Sequence, residues 1–254
     1  MIIMKKTIKK LSLSILLLTG ITIGGLNYNN VNAETTGTMS IVKDTTKDSI
    51  GKRVGVFEGP TTCTATMLNP NFGLTAAHCG NGFEEGNIGK VYPAQSALST
   101  PYGSMTISLF NPYDNKDIAF IYGRNSDKDK SYRYYESTFA GTEIKLKGFT
   151  KSELSNLVGK KVFSYGYPYD YDGYKQYKFT GEITVSNEHA IHTTIPSYGG
   201  QSGSAVFLED SKELLGVLIQ TGTTNSTAIL QPITTEVANW YNTKKNQLES
   251  SSND

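Results

Sequence analysis

The chain is short of the residues on which several kinds of protein depend. It has two cysteines, three histidines and one tryptophan among 254 residues. Two cysteines, Cys63 and Cys79, permit one pairing within the chain and no other. Three scattered histidines with no His-Glu-x-x-His motif form no metal-ligand cluster, so neither a metal nor an organic cofactor is expected. No internal repeat is present, and no basic stripe is available to follow a nucleic acid. The pair Lys52-Arg53 reads as strand-edge or turn charge.

One apolar stretch stands apart. Lys5, Lys6, Lys9 and Lys10 precede a mainly apolar run from Leu11 to Leu26, and Val31-Asn32-Ala33 supplies the small residues of an export cleavage site. The run is too short and too glycine-rich for a membrane span, and no second one approaches it, so stable membrane insertion is not expected. Residues 1–33 carry four lysines and no acids, so their removal turns the net charge of +1 into −3 for the remaining 221 residues. A released, extracellular protein is expected, in a compartment that permits a disulfide.

Past the leader the pattern is all-β. Short runs rich in β-branched and aromatic residues recur at 61–68, 105–110, 117–122, 143–149, 161–165, 177–185, 190–195, 204–208, 214–220 and 227–230, punctuated by Gly, Asn, Asp and Pro. One helix closes the chain, with Thr234 or Thr235 as N-cap and Val237, Trp240 and Tyr241 on one face. Residues 126–135 read as a surface loop. The tyrosine-rich stretch from Tyr165 to Tyr174 reads as a long hairpin loop; a substrate groove, or calcium held by Asp170 and Asp172, is the weaker alternative because the other ligands of a calcium loop are missing.

Chemistry concentrates in three peptides. In Gly199-Gly200-Gln201-Ser202-Gly203-Ser204 a serine is crowded by glycines, which are poor core material but let a hydroxyl stand clear while the N–H groups of Gly200 and Ser202 converge on one point. A serine nucleophile needs a base and a carboxylate to orient it. His78 lies in Leu74-Thr75-Ala76-Ala77-His78-Cys79, and a Cys63–Cys79 bridge would tie two strands together behind it. Asp117 opens the apolar run Ile118-Ala119-Phe120-Ile121, whereas its rival Asp114 reads as a solvated turn residue. His189 and His192 fall in an exposed turn leading into a strand, with surface or structural roles.

Thr75-Ala76-Ala77-His78-Cys79, Asp117-Ile118-Ala119-Phe120 and Gly199-Gly200-Gln201-Ser202-Gly203-Ser204-Ala205-Val206, in that order, resemble the chymotrypsin superfamily of serine proteases. Within it they resemble the bacterial branch of glutamyl endopeptidases and exfoliative toxins. The resemblance covers roughly residues 50 to 240. It implies His78 as general base, Asp117 as orienting carboxylate, Ser202 as nucleophile, and the Gly200 and Ser202 amides as oxyanion hole. It also implies two six-stranded antiparallel β-barrels with the active site in the cleft between them. The corresponding division is a leader over 1–33, a pro-segment or N-terminal arm over 34–49, barrels over 50–145 and 146–232, a helix over 233–246 and a tail over 247–254. A monomer acting on protein or peptide substrates follows.

Two departures from that family matter. Animal digestive relatives order the oxyanion loop by pairing a new α-amino group with an acid just before the nucleophile, but here that position is Gln201, which has no charge. Glutamyl endopeptidases carry a pocket histidine where this chain has Leu218, and the position of an arginine-selecting acid is Pro196. With Ser197 and Thr221 these residues imply a pocket for a small or medium uncharged side chain. An esterase of the Gly-x-Ser-x-Gly kind fails on Ser204 and on histidine order. The remaining rival is a catalytically silent or narrowly restricted toxin-like binding protein on the same fold.

Overall fold

The computed structural model describes residues 37–81, 86–139, 142–222 and 227–251; the expected leader lies outside them, as do residues 252–254. Strands alternate in sequence with turns, as the punctuation predicts. In chain order they are β1 (Thr38–Ile41), β2 (Val54–Glu58), β3 (Thr62–Met67), β4 (Phe72–Thr75), β5 (Lys90–Pro93), β6 (Met105–Thr106), β7 (Leu109–Pro112) and β8 (Ala119–Tyr122). Two short helices, α1 (Lys130–Tyr135) and α2 (Lys151–Ser155), precede β9 (Lys161–Gly166) and a third, α3 (Tyr169–Asp172). Then follow β10 (Tyr177–Ser186), β11 (Ile191–Pro196), β12 (Ala205–Leu208), β13 (Leu214–Thr221), β14 (Thr227–Pro232) and the long helix α4 (Thr235–Ser251).

Two antiparallel sheets result. The first has the order β6-β5-β2-β3-β4-β8-β7 and curls into an open half-barrel. In the second, β9 through β14 close into a six-stranded barrel, because β9 pairs with both β12 and β10. The all-β, two-barrel expectation holds in this form, with seven curled strands where six closed ones were expected in the first half. Burial explains the sequence pattern. Strands β4 and β8 are buried at every residue, being covered on both faces, whereas β11 alternates buried and more open positions.

Strand β1 adds to β10 in the register Thr38↔Thr180 to Ile41↔Tyr177. Helix α4 starts where Thr234 Oγ1 accepts the Val237 N–H at 3.4 Å, and it buries Val237, Ala238 and Tyr241. It packs on the first sheet, with Tyr241 edge-on to Phe72 at 6.2 Å and Trp240 5.3 Å from Phe120. The helix runs to Ser251, past the expected end at 246, supported by a Lys245–Glu249 ion pair one turn apart at 3.3 Å. Among the described residues no helix is long and apolar enough to cross a membrane.

Three further sequence expectations change. The run at 143–149 is not a ladder strand: it links the two halves, and its amides bond singly to separate elements, Ile144 N–H to Leu68 O and Phe149 N–H to Ile233 O. Arg53 is not a surface charge but 1% exposed, donating to Leu68 O at 3.1 Å, Phe139 O at 3.0 Å and Thr142 O at 2.6 Å, with its guanidinium over the Phe139 ring. These carbonyls take the place of the solvent it gives up. Residues 126–135 include helix α1, which buries Tyr132 completely.

Helix α1 depends on its cap. Asp129 accepts the N–H groups of Tyr132 at 2.8 Å and Ser104 at 2.7 Å, and the Ser104 hydroxyl at 3.0 Å. Burial alone would raise the Asp129 carboxyl, but these hydrogen bonds outweigh it and hold the pKa below its usual value. We expect Asp129→Ala to cost about 1 kcal/mol at neutral pH in urea unfolding. A depressed folded-state pKa gives stability that is present above the unfolded value and lost as pH falls through the folded one, so wild type and variant should converge in acid. A gap that stays constant into acid would contradict this assignment.

Candidate active site

Antiparallel pairing brings the first two candidate residues together. Thr75, the last residue of β4, lies opposite Ala119, the first of β8. His78 is three residues beyond the end of β4 and Asp117 two before the start of β8, so both emerge at the same end of this strand pair. Asp117 Oδ2 lies 2.7 Å from His78 Nδ1, and Asp117 Oδ1 accepts the His78 backbone N–H at 2.9 Å. One carboxylate thus holds both the ring and the main chain of one histidine. With Nδ1–H donating to Asp117, Nε2 is left as the free acceptor. The ring remains reachable, since the His78 side chain is 43% exposed and that of Asp117 25%.

Cys63 and Cys79 are bonded, S–S 2.02 Å, which fixes β3 to the turn that carries His78. The same two sulfurs and the His78 ring are the one group of three potential metal ligands among the described residues. With both sulfurs in a disulfide, that group has no thiolate to offer a metal.

Ser202 lies in the turn that joins β11 to β12 of the second sheet. The described hydrogen bonds hold it through its main chain: Thr64 N–H donates to Ser202 O at 2.8 Å, and the Cys79 sulfur packs 3.9 Å from the same oxygen. The Ser202 loop therefore sits directly against the strand and disulfide that support the histidine. Thr64 does more. Its hydroxyl donates to Gly200 O at 2.9 Å and accepts the Tyr167 N–H at 3.1 Å, and its carbonyl accepts the Thr75 hydroxyl at 2.9 Å. A Cβ on Gly203, whose φ is +89°, would overlap Thr64 O, so glycine is required there. The sequence reading passed over Thr64. The available signal was the alternation of threonines at 62, 64 and 66 beside Cys63, since repeated hydroxyls on one face of an otherwise apolar strand need internal partners.

Hydrogen bonds tie the loop around Ser202 together and to β13, while the Ser204 hydroxyl is buried without a hydrogen-bond partner. Gln201 is fully buried; its side-chain oxygen accepts the Tyr198 N–H and its amide nitrogen donates to Pro196 O at 3.4 Å. Ser204 N–H returns to Gln201 O at 2.9 Å, and Gly203 N–H and Leu218 O join the loop to β13 at 2.7 Å. Of the four expected pocket residues, only Ser197 and Thr221 are joined by a direct hydrogen bond. Pro196 ends β11 opposite Thr227 of β14, Leu218 is 1% exposed on β13, and the hydroxyls of Ser197 and Thr221 meet at 2.9 Å. Asp114, His189 and His192 lie outside this cluster, and His189 is 82% exposed beside Glu188. The expected hairpin loop at 165–174 contains helix α3, and the rings around it are anchored. Tyr177 donates to Asp172 at 2.6 Å, and this bond, with burial, pushes its pKa up to about 12. Burial raises that of Tyr167 further.

The family model for Trypsin matches residues 42–241, and the chain belongs to that family. A glutamyl endopeptidase of Bacillus licheniformis is 30% identical over 155 residues, 59% of this chain and 46% of that protein. An extracellular metalloprotease of Bacillus subtilis is 27% identical over 150 residues, 57% of this chain and 45% of that one. The matches thus span less than half the length of these relatives. Among solved structures, that of a Glu endopeptidase in complex with MPD superposes with a TM-score of 0.66 at 20% identity, covering 84% of this chain and 98% of the other.

The disulfide closes a loop of 16 residues' separation. Its removal in a Cys63→Ala/Cys79→Ala variant should lower stability by about 3 kcal/mol, measured by urea unfolding without reductant. A variant as stable as the wild type would show that the bridge contributes nothing to the fold.

Proposed function

We propose that this chain is a secreted serine endopeptidase. The observation that carries the reading is the double hydrogen bond of Asp117 to His78, on the same disulfide-linked framework that packs against the Ser202 loop. Ser202 Oγ attacks the peptide carbonyl while His78 Nε2 accepts its proton and later protonates the leaving amine. Asp117 stays ionised and stabilises the imidazolium. The Gly200 and Ser202 amides receive the oxyanion. The Oγ–Nε2 hydrogen bond is a contact that often forms fully only with substrate in place. Export rests on the leader expected over residues 1–33, and the extracellular relative and the disulfide are consistent with it.

Two features support constitutive competence. Gln201 satisfies its own amide within the loop, so no incoming ammonium group is needed to neutralise a buried acid there. Residues 37–49 are built into the fold as an arm: beyond the β1 ladder, the Thr45 hydroxyl donates to Ala94 O at 2.6 Å, and Asp48 Oδ1 accepts the N–H groups of Ile50 at 2.9 Å and Gly51 at 2.8 Å.

Substrate preference follows from the pocket wall. Buried Leu218 gives an incoming carboxylate no hydrogen bond, and Pro196 gives a basic side chain no counter-charge, so either would lose its solvation without return. In this reading the Ser197 and Thr221 hydroxyls, which meet at 2.9 Å, narrow the pocket. The enzyme accordingly prefers a small or medium uncharged residue on the acyl side of the scissile bond.

Ser202→Ala should abolish peptide cleavage with an unchanged melting temperature, and undiminished turnover would remove Ser202 from its role. In a peptide-library profile, Thr221→Gly should shift preference toward larger apolar residues by about 10-fold. A dominant wild-type preference for Glu, Arg or Lys would contradict the pocket assignment.

A further inference from the structure

The tyrosine-rich stretch, which the catalytic reading leaves unused, packs onto the serine loop. Asp170, in α3, donates its N–H to Gly199 O at 3.2 Å. The neighbouring Tyr171 ring lies 5.0 Å from that of Tyr198 and 5.9 Å from that of Tyr177. Behind them, buried Tyr167 donates its hydroxyl to Gln95 O at 2.8 Å. Its N–H reaches the Thr64 hydroxyl, which in turn holds Gly200 O. The two successive carbonyls at Gly199 and Gly200 are therefore both pinned from outside the loop, one by α3 and one by Thr64.

Peptide geometry gives this pinning a consequence. No described peptide is cis, and a trans peptide directs its C=O and N–H to opposite sides. The carbonyl of Gly199 and the N–H of Gly200 belong to one such unit. Drawing Gly199 O toward Asp170 turns the Gly200 N–H away from α3. If that unit rotated, a carbonyl would face the developing negative charge where a donor is required. The fit is close: a Cβ on Gly199 would overlap the Asp170 carboxylate, so the loop rests against α3 with no spare room.

We propose that α3 is the brace of the oxyanion hole, with Asp170, Tyr171 and Tyr198 as positioning residues that keep the Gly200 N–H aimed at the oxyanion. The proposal rests on the endopeptidase reading. It assigns the aromatic stretch a role in kcat, not in substrate affinity.

Tyr171 is 56% exposed, so its ring can be removed without emptying a core. Outright loss of one oxyanion donor costs about 100- to 1,000-fold in kcat, and Tyr171→Ala, which only loosens one, should lower kcat about 10-fold. KM should stay within about twofold while affinity for a peptide boronic acid falls in parallel with kcat, because the boronate mimics the tetrahedral state. Tyr171→Phe should restore both. Gly199→Ala should lose kcat through overlap with Asp170, and Asp170→Gly in that background should regain part of it, because the backbone N–H is kept. Unchanged kcat in Tyr171→Ala, or a raised KM with unchanged boronate affinity, would overturn the brace and make Tyr171 inert or a substrate contact. A wild type that neither cleaves peptides nor binds the boronate would overturn the endopeptidase reading, and the brace with it.

Discussion

The site depends on one buried threonine. Thr64 has no exposed surface, yet its N–H, hydroxyl and carbonyl are all engaged: with Ser202 O, with Gly200 O and the Tyr167 N–H, and with the Thr75 hydroxyl. None of these groups has water to fall back on, so each bond is costly to break and the arrangement is rigid. Thr64 sits in the first sheet and Ser202 in a loop of the second, so a single residue sets the serine loop against the framework of the histidine. Cys63, its neighbour, fixes that framework from the other side through Cys79. A nucleophile and its base must be held closely, and for the proposed pair strand β3 supplies that support through Thr64 and Cys63.

The rest of the molecule can be understood as support for this junction. Antiparallel pairing of β4 with β8 delivers His78 and Asp117 to one end of the strand pair. The six-stranded closure of the second half holds the ends of β11, β12 and β13, on which the serine loop and the proposed pocket residues are mounted. Helix α4 follows β14 in sequence but packs its aromatic residues on Phe72 and Phe120 of the first sheet, clasping the two halves from behind. Buried Arg53 similarly joins the β3 end to the connection between the halves, through Leu68, Phe139 and Thr142.

Much of this was legible in the sequence, because strong local signals and function coincide. Glycines around Ser202, an apolar run behind Asp117 and two cysteines with no other partner each point one way. The strand pattern located most strands, and Val237, Trp240 and Tyr241 marked the packed face of α4. What escaped were features whose meaning depends on distant partners. Arg53 looks like any surface charge until the carbonyls of Leu68, Phe139 and Thr142 surround it. The 143–149 run has strand composition but no neighbouring strand. The cap of α1 relies on Asp129 meeting Ser104, and the tyrosines at 165–177 gain a role only when the serine loop is beside them. Thr64 is the sharpest case, since a threonine in a strand is ordinary until its partners are known.

The central claim is that Ser202, His78 and Asp117 act as one chemical unit. A fluorophosphonate reacts with a serine only when that serine is activated, and it is small enough to bypass any narrow substrate preference. Intact-mass and peptide mass spectrometry of the labelled protein is therefore the most direct measurement. The account predicts rapid labelling of the wild type at Ser202 and its loss in His78→Ala. Labelling at another residue, or at Ser202 with equal speed in His78→Ala, would contradict it.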